Sequence, residues 1–306
     1  INAGKIENKG IEIALSTRPI QTRDFSWDIN LNFSKNSNKV KELDGKSDMF
    51  ELEKASWLDV QIAAKVGENF GSIVGPDFQR NERGDILIDP QTGLPQYDKS
   101  NHVLGNASWD WTGGLLTNFT YKNLSLVAVF DVKVGADLYS MSARAAYESG
   151  KSPETLAGRD AWYRSEEERL AAGIAKGADN WKPTGGFVVP GVIDNGDGTY
   201  RPNDIYINPE DYWMSVCRNA PSMFIYDNSY VKCRELTLSY NVPKSWLKNV
   251  VSGLTVSFVA RNPFIVWKNI PNIDPDSNYN NTTGMGLEYG SLPSRRSYGF
   301  NVNVKF

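Results

Sequence analysis

A single histidine, His102, serves all 306 residues, so no His-based catalytic triad or multi-histidine metal site can be assembled from this chain. Cysteine is nearly as scarce: Cys217 and Cys233 can pair in an oxidising compartment or stand alone as small apolar groups, and their spacing does not choose. Basic excess is missing too. The net charge of −3 and a pI near 5.4 offer no surface for nucleic acid. Mean hydropathy is −0.44, and no run approaches the roughly 18 apolar residues of a spanning helix, which excludes helical membrane proteins. A transmembrane β-barrel stays open, because alternating strands average to a polar hydropathy. The opening Ile1-Asn2-Ala3-Gly4 carries neither an initiator Met nor a secretory signal, and the expectation is a piece of a longer polypeptide. Phosphate-loop glycine spacing is likewise absent around Gly113-Gly114, and no catalytic constellation or cofactor site emerges. The chain reads as a non-enzyme.

What is present is alternation. At the C-terminus Tyr298, Phe300, Val302, Val304 and Phe306 interleave with Gly299, Asn301, Asn303 and Lys305. A period of two places large apolar groups on one face of a strand and small or polar groups on the other. Six further segments repeat it, near 8–17, 25–34, 109–121, 124–134, 229–242 and 254–261. Each has about the nine to eleven residues of a tilted membrane strand, whereas soluble strands run nearer five or six. The connections alternate in length: short at 18–24, 122–123 and 243–252, long at 35–108, 135–228 and 263–294. Short turns at one end and long loops at the other are the signature of an outer-membrane barrel. Seven strands leave two unpaired edges in lipid, so neighbouring strands must come from elsewhere.

The loops hold local order. Ser152-Pro153-Glu154 looks like a helix start, and Ser165-Glu166-Glu167-Glu168 has capping-box spacing with an end near 171–173. Residues 57–66 are expected to add a strand, and Asp194-Asn195-Gly196-Asp197-Gly198 a turn. Glu12, Asp28, Asp131, Lys133, Glu235, Arg261 and Lys305 fall on the polar face, as a solvated inner wall or contacts to a plug. Trp27, Phe33, Tyr121, Tyr240 and Phe306 read as interface-girdle aromatics. Asp274-Pro275-Asp276-Ser277-Asn278 begins like a calcium loop, but Tyr279 and Met285 occupy the positions where glycine and the last acid belong, so no metal site is assigned.

Asn8-Lys9-Gly10-Ile11-Glu12-Ile13, Phe25-Ser26-Trp27-Asp28, Val66-Gly67-Glu68, Leu104-Gly105-Asn106, Tyr230-Val231-Lys232 with Arg234-Glu235-Leu236-Thr237-Leu238-Ser239-Tyr240, Arg261-Asn262-Pro263, Asn272-Ile273-Asp274-Pro275 and Pro293-Ser294-Arg295-Arg296 together resemble the SusC/RagA-like TonB-dependent transporters. Cys233 stands where that family more usually has an aliphatic residue. The resemblance implies an all-β fold in which residues 1–306 are the C-terminal seven or so strands of a barrel of about 22 antiparallel strands. It implies long extracellular loops with short helices, and a plug domain that these residues lack. It also implies import of glycans or peptides across the outer membrane of a Gram-negative bacterium, with a SusD-like surface lipoprotein as lid and TonB acting through the N-terminal part. Among the loop aromatics, Trp162, Trp181, Tyr212 and Trp213 are the candidates for stacking on substrate, against the alternative that such rings pin loops or meet the lid. Two other readings remain: a secreted glycan-binding β-sandwich, and a surface barrel that does not transport.

Overall fold

The computed structural model describes residues 4–45, 47–54, 59–247, 251–280 and 282–306. Seven strands, β1 (Lys5–Gln21), β2 (Phe25–Glu42), β3 (Trp111–Tyr121), β4 (Leu124–Val134), β5 (Tyr230–Asn241), β6 (Gly253–Lys268) and β7 (Ser297–Lys305), form one sheet in chain order. Every pairing is antiparallel between sequence neighbours. The sheet is an open wall, with β1 and β7 each paired on one side among the described residues. Among those residues no helix is long and apolar enough to cross a membrane.

Register sorts the side chains as the alternation demands. One row joins Trp27, Phe119, Leu126, Leu238, Phe258 and Phe300; the row above joins Ile29, Thr117, Ala128, Leu236, Ala260 and Tyr298. Rings meet along this face, Trp27 stacking on Phe119 at 5.5 Å and Phe258 lying 5.4 Å from Phe300. The face stays uncovered: Phe300 is 79% exposed and Ile11 62%. So wide an apolar surface has no place in water and marks an interaction face. Ten residues separate Tyr121 from Trp111 on it; at about 3.4 Å each and a tilt of about 45° they span roughly 24 Å, the height of an apolar barrel band. The opposite face carries Asp28, Asn30, Asn118, Ser125, Thr237, Ser239, Ser257, Asn301 and Asn303.

Three strands outrun the expected length. β1, β2 and β6 have 17, 18 and 16 residues, and reach into segments read from the sequence as loops. The upper part of the β1–β2 hairpin is polar on both faces (Asn36, Ser37, Asn38, Lys39), so alternation fades although backbone pairing continues. In β6 the obstacle is Pro263, which cannot donate to a ladder. A bulge absorbs it: Glu235 pairs with Arg261 and Cys233 with Phe264, while Asn262 adopts φ 48°. Opposite, Arg234 is skipped in the pairings of β5 with both neighbours. That extra residue shifts the phase, so Tyr230, Lys232 and Arg234 share the polar face with Glu235, Thr237 and Ser239.

The three long connections, all at one end of the wall, fold together. The first supplies a four-stranded antiparallel sheet (Met49–Lys54, Gln61–Lys65, Phe70–Phe78, Tyr97–Asn106), where the sequence suggested a single extra strand over 57–66; Trp57 and Leu58 lie outside the described residues. The second supplies α1 (Met141–Glu148), a 3₁₀ turn at Pro153–Leu156, α2 (Arg159–Ala171) and α3 (Pro209–Asn219). The third adds Leu287–Glu288, parallel to Asp137–Ser140. Ile62, Ile73 and Phe78 from the first, Tyr139, Val216 and Phe224 from the second, and Leu287 from the third sit in one buried cluster. The loops therefore own a core, and the wall carries a cap.

Helix α2 begins six residues before the capping-box serine, behind Gly158 in the left-handed region (φ 81°). Ser165 is interior to the helix, and its hydroxyl accepts from the Thr184 backbone N–H at 3.0 Å. Spacing alone could not separate a cap from a helical serine that ties down a later loop. The end near 171–173 is as expected, with Gly173 at φ 69°. Gly196 and Gly198, both at φ 82°, turn the hairpin of Val192–Asp194 and Tyr200–Pro202.

Candidate functional site

A cavity of about 220 Å³ opens in the cap between the end of α1, the 3₁₀ turn, α2 and the start of α3. Asn208 caps α3, its Oδ1 accepting from the Glu210 N–H at 3.0 Å, with Pro209 in the first turn; this places Glu210 and Trp213 one helical turn apart. From α1 come Tyr147 and Glu148, from α2 Trp162 and Tyr163. Trp213 is 8% exposed, and its ring lies 4.7 Å from that of Tyr147, which in turn meets Phe224 at 5.6 Å. Its indole N–H is buried without a hydrogen-bond partner among the described residues. On the other side of Trp162 a more open groove of about 610 Å³ runs past Leu94, Tyr206, Asp211 and Arg218. Trp162 and Asn208 line both.

The four candidate aromatics are thus separated by the fold. Trp162 and Trp213 share the cavity. Tyr212, 7% exposed, faces the core instead, its ring 4.9 Å from Phe187 and 4.8 Å from Trp213; burial pushes its phenol up to about 12. Its ring packs in the core and lines neither the cavity nor the groove. Consecutive positions on a helix point about 100° apart, so Tyr212 and Trp213 could not both address one ligand. Trp181 follows α2 in a turn closed by its backbone N–H to the Ala178 carbonyl (3.1 Å), and its half-buried indole has no partner for its N–H. Tyr147, Glu148, Arg159, Asn208 and Glu210 went unread in the sequence. The Asn208-Pro209-Glu210 helix start was the available signal for two of them.

A second polar constellation lies where wall meets cap. The Lys232 ammonium, with a side chain 2% exposed, reaches Asp274 at 3.1 Å and Asp276 at 2.6 Å. Arg234 holds Asp276 at 2.5 Å and 2.9 Å, Asp131 at 2.5 Å and the Tyr230 hydroxyl at 3.0 Å. Ser294 donates its backbone N–H to Asp274 at 2.8 Å. Burial alone would raise the Asp274 and Asp276 carboxyls; Ser294 and Lys232 for the first, and Arg234 and Lys232 for the second, hold both below the usual carboxylate range. The aspartates that resembled a calcium loop are therefore ion-paired to the wall, and no group of three or more His, Cys, Asp or Glu among the described residues is placed to hold a metal. Of the other polar-face charges, Asp28 meets Arg18 at 2.5 Å, and Glu235 meets Arg261 at 3.5 Å.

An all-antiparallel meander that is apolar on one side and polar on the other, with short turns at one end and a folded cap at the other, is the pattern of a portion of a transmembrane β-barrel. No protein-family model matches the chain. TonB-dependent receptor P3 of Formosa agariphila is 24% identical over all of this chain and 29% of its own length. TonB-dependent receptor P26 of the same organism is 26% identical, again over the whole chain and 30% of its own length. TonB-dependent receptor SusC of Bacteroides thetaiotaomicron is 24% identical over the whole chain and 27% of its length. The RagAB peptide importer in its closed-closed state superposes with a TM-score of 0.63 at 16% identity, covering 100% of this chain and 30% of that one. The chain is SusC/RagA-like, and spans less than a third of the length of these relatives.

Proposed function

We propose that the chain is barrel wall and outer cap of an outer-membrane importer that takes up oligomeric nutrients, glycans or peptides, under TonB control. The observation that carries the reading is the two-faced wall: an exposed apolar face about 24 Å tall, by strand rise and tilt, backs a polar face lined by Asn, Ser, Thr and paired charges. A β-sandwich would bury that apolar face against a second sheet; here it is open. Lipid bathes the apolar face, the rest of the barrel and a plug continue from the two free edges and the polar face, and TonB acts through the plug. The cap, with Trp162 and Trp213 in its cavity, lies at the outer mouth, where a SusD-like lipoprotein closes over it. RagAB, described as a peptide importer, shares this fold and favours this reading over a barrel that does not transport.

Deleting the gene from its own bacterium and measuring uptake of a panel of labelled oligosaccharides and oligopeptides tests it. Loss of uptake of one substrate class, restored by the full-length gene, is the expected result. Unchanged uptake of every substrate across the panel contradicts it.

A further inference from the structure

The cap cavity sets aromatic rings beside carboxylates. Four aromatic rings line it, Tyr147, Trp162, Tyr163 and Trp213, together with the carboxylates of Glu148 and Glu210. Its two aliphatic hydroxyls are engaged with backbone: Ser149 donates to the Ala145 carbonyl at 2.7 Å and Thr155 to the Ser152 carbonyl at 2.6 Å. The one lining cation, Arg159, folds back on the cavity rim. Its Nε reaches the Thr155 carbonyl at 2.8 Å, and one terminal nitrogen reaches the Gly150 carbonyl at 2.9 Å and the Thr155 hydroxyl at 2.6 Å. Among the described residues, Glu148 meets only the outlying Arg144, at 3.6 Å, while Glu210 stands in the first turn of α3 with no cation within ion-pair reach.

We infer that this cavity is a subsite for an organic cation, a primary ammonium or a guanidinium, carried on the transported oligomer. Ring faces attract a desolvated cation through their quadrupole. An ammonium supplies three donors to carboxylates that have none in the cavity. The unpartnered indole N–H of Trp213, on a ring more than nine-tenths buried, calls for an acceptor beside the cation, such as the carbonyl of a peptide or the ring oxygen of a sugar. The inference rests on the import reading for the identity of the ligand, since a basic side chain of a peptide and an amino sugar present the same chemistry.

The test uses the full-length receptor in detergent and titration calorimetry. Four probes separate charge from scaffold: a lysine-containing tripeptide, its Nε-acetyl counterpart, a glucosamine trimer and an N-acetylglucosamine trimer. At least one cationic probe is expected to bind ten-fold or more tighter than its acetylated twin, and which one does so names the source. Glu210→Gln, at an exposed position, should reduce that ratio several-fold. Trp162→Ala should abolish it and Trp162→Phe restore most of it, with unchanged thermal unfolding in each. Acetylated probes binding as well as cationic ones, or a ratio unmoved by both Glu210→Gln and Trp162→Ala, overturns the inference. If cation discrimination is absent while gene deletion still abolishes uptake, the subsite fails and the importer stands. If discrimination is present and deletion changes no uptake, the reverse holds.

Discussion

Leu236 and Thr237 are neighbours on β5 that point to opposite faces of the wall, which makes an arginine at each a sharp comparison. Leu236 sits in the apolar row with Ala128 and Ala260, and Thr237 between Val127 and Val259 on the polar face. Depth follows from register. Leu236 pairs with Ala128, four residues from Leu124 at the two-residue turn. Four residues at about 3.4 Å, tilted about 45°, put it roughly 10 Å from the turn end of an apolar band about 25 Å tall, near mid-height. Arginine there costs about 2–4 kcal/mol, against about 0–1 near either interface. Leu236→Arg in the full-length receptor should therefore lose a few kcal/mol in urea unfolding from lipid vesicles, while Thr237→Arg should lose less than about 1 kcal/mol, since lumen positions tune selectivity rather than insertion. Equal costs, or a larger cost at Thr237, would refute the assignment of faces.

Other consequences follow from the ion network and the turns. Lys232→Met removes a buried cation from Asp274 and Asp276, a change expected to cost about 3–5 kcal/mol; limited proteolysis should then cleave the 270–294 connection while the strands survive. Because the Asp274 and Asp276 carboxyls are held below their ordinary values, the unfolded connection takes up protons first as pH falls. Docking of that connection should be full above about pH 5 and weaken as acidity increases below about pH 4, a loss that hydrogen exchange at residues 272–294 would detect and Lys232→Met should blunt. Lys122 holds φ 52° in the β3–β4 turn, a left-handed position that disfavours side chains. Lys122→Gly should raise unfolding stability by about 1 kcal/mol, and a loss greater than that would mean that the Lys122 ammonium over the Tyr121 ring, at 5.3 Å, outweighs the strain.

The wall was legible because lipid imposes a strict period of two. β4 begins and ends where its alternation does, at Leu124 and Val134. Legibility failed where that constraint lapses. The upper β1–β2 hairpin, with Asn36 to Lys39 polar on both faces, and β6 beyond Pro263 are held by backbone pairing, which leaves little trace in side-chain pattern. The cap was the larger miss. Its core joins Ile62, Tyr139, Phe224 and Leu287 across more than two hundred positions of chain, and no local window contains such a contact. The site follows suit. Trp162 and Trp213 were visible as aromatics, but whether a ring at 212 or 213 meets a cavity is set by the rotation of α3, fixed by the Asn208 cap and the packing of Val216. Lys232 and Arg234 were given no place on either face by the sequence pattern; the bulge at Arg234 sets them toward Asp274 and Asp276.

The account rests on one face of this wall meeting lipid and the other water. Spin labels placed singly at Phe300, Asn301, Val302 and Asn303 of β7, in the full-length receptor reconstituted in bilayers, read this directly through collision with oxygen, which partitions into lipid, and with a water-soluble nickel chelate. Labels at 300 and 302 should favour oxygen and those at 301 and 303 the chelate. Four labels that respond alike, or the opposite alternation, would contradict the barrel wall.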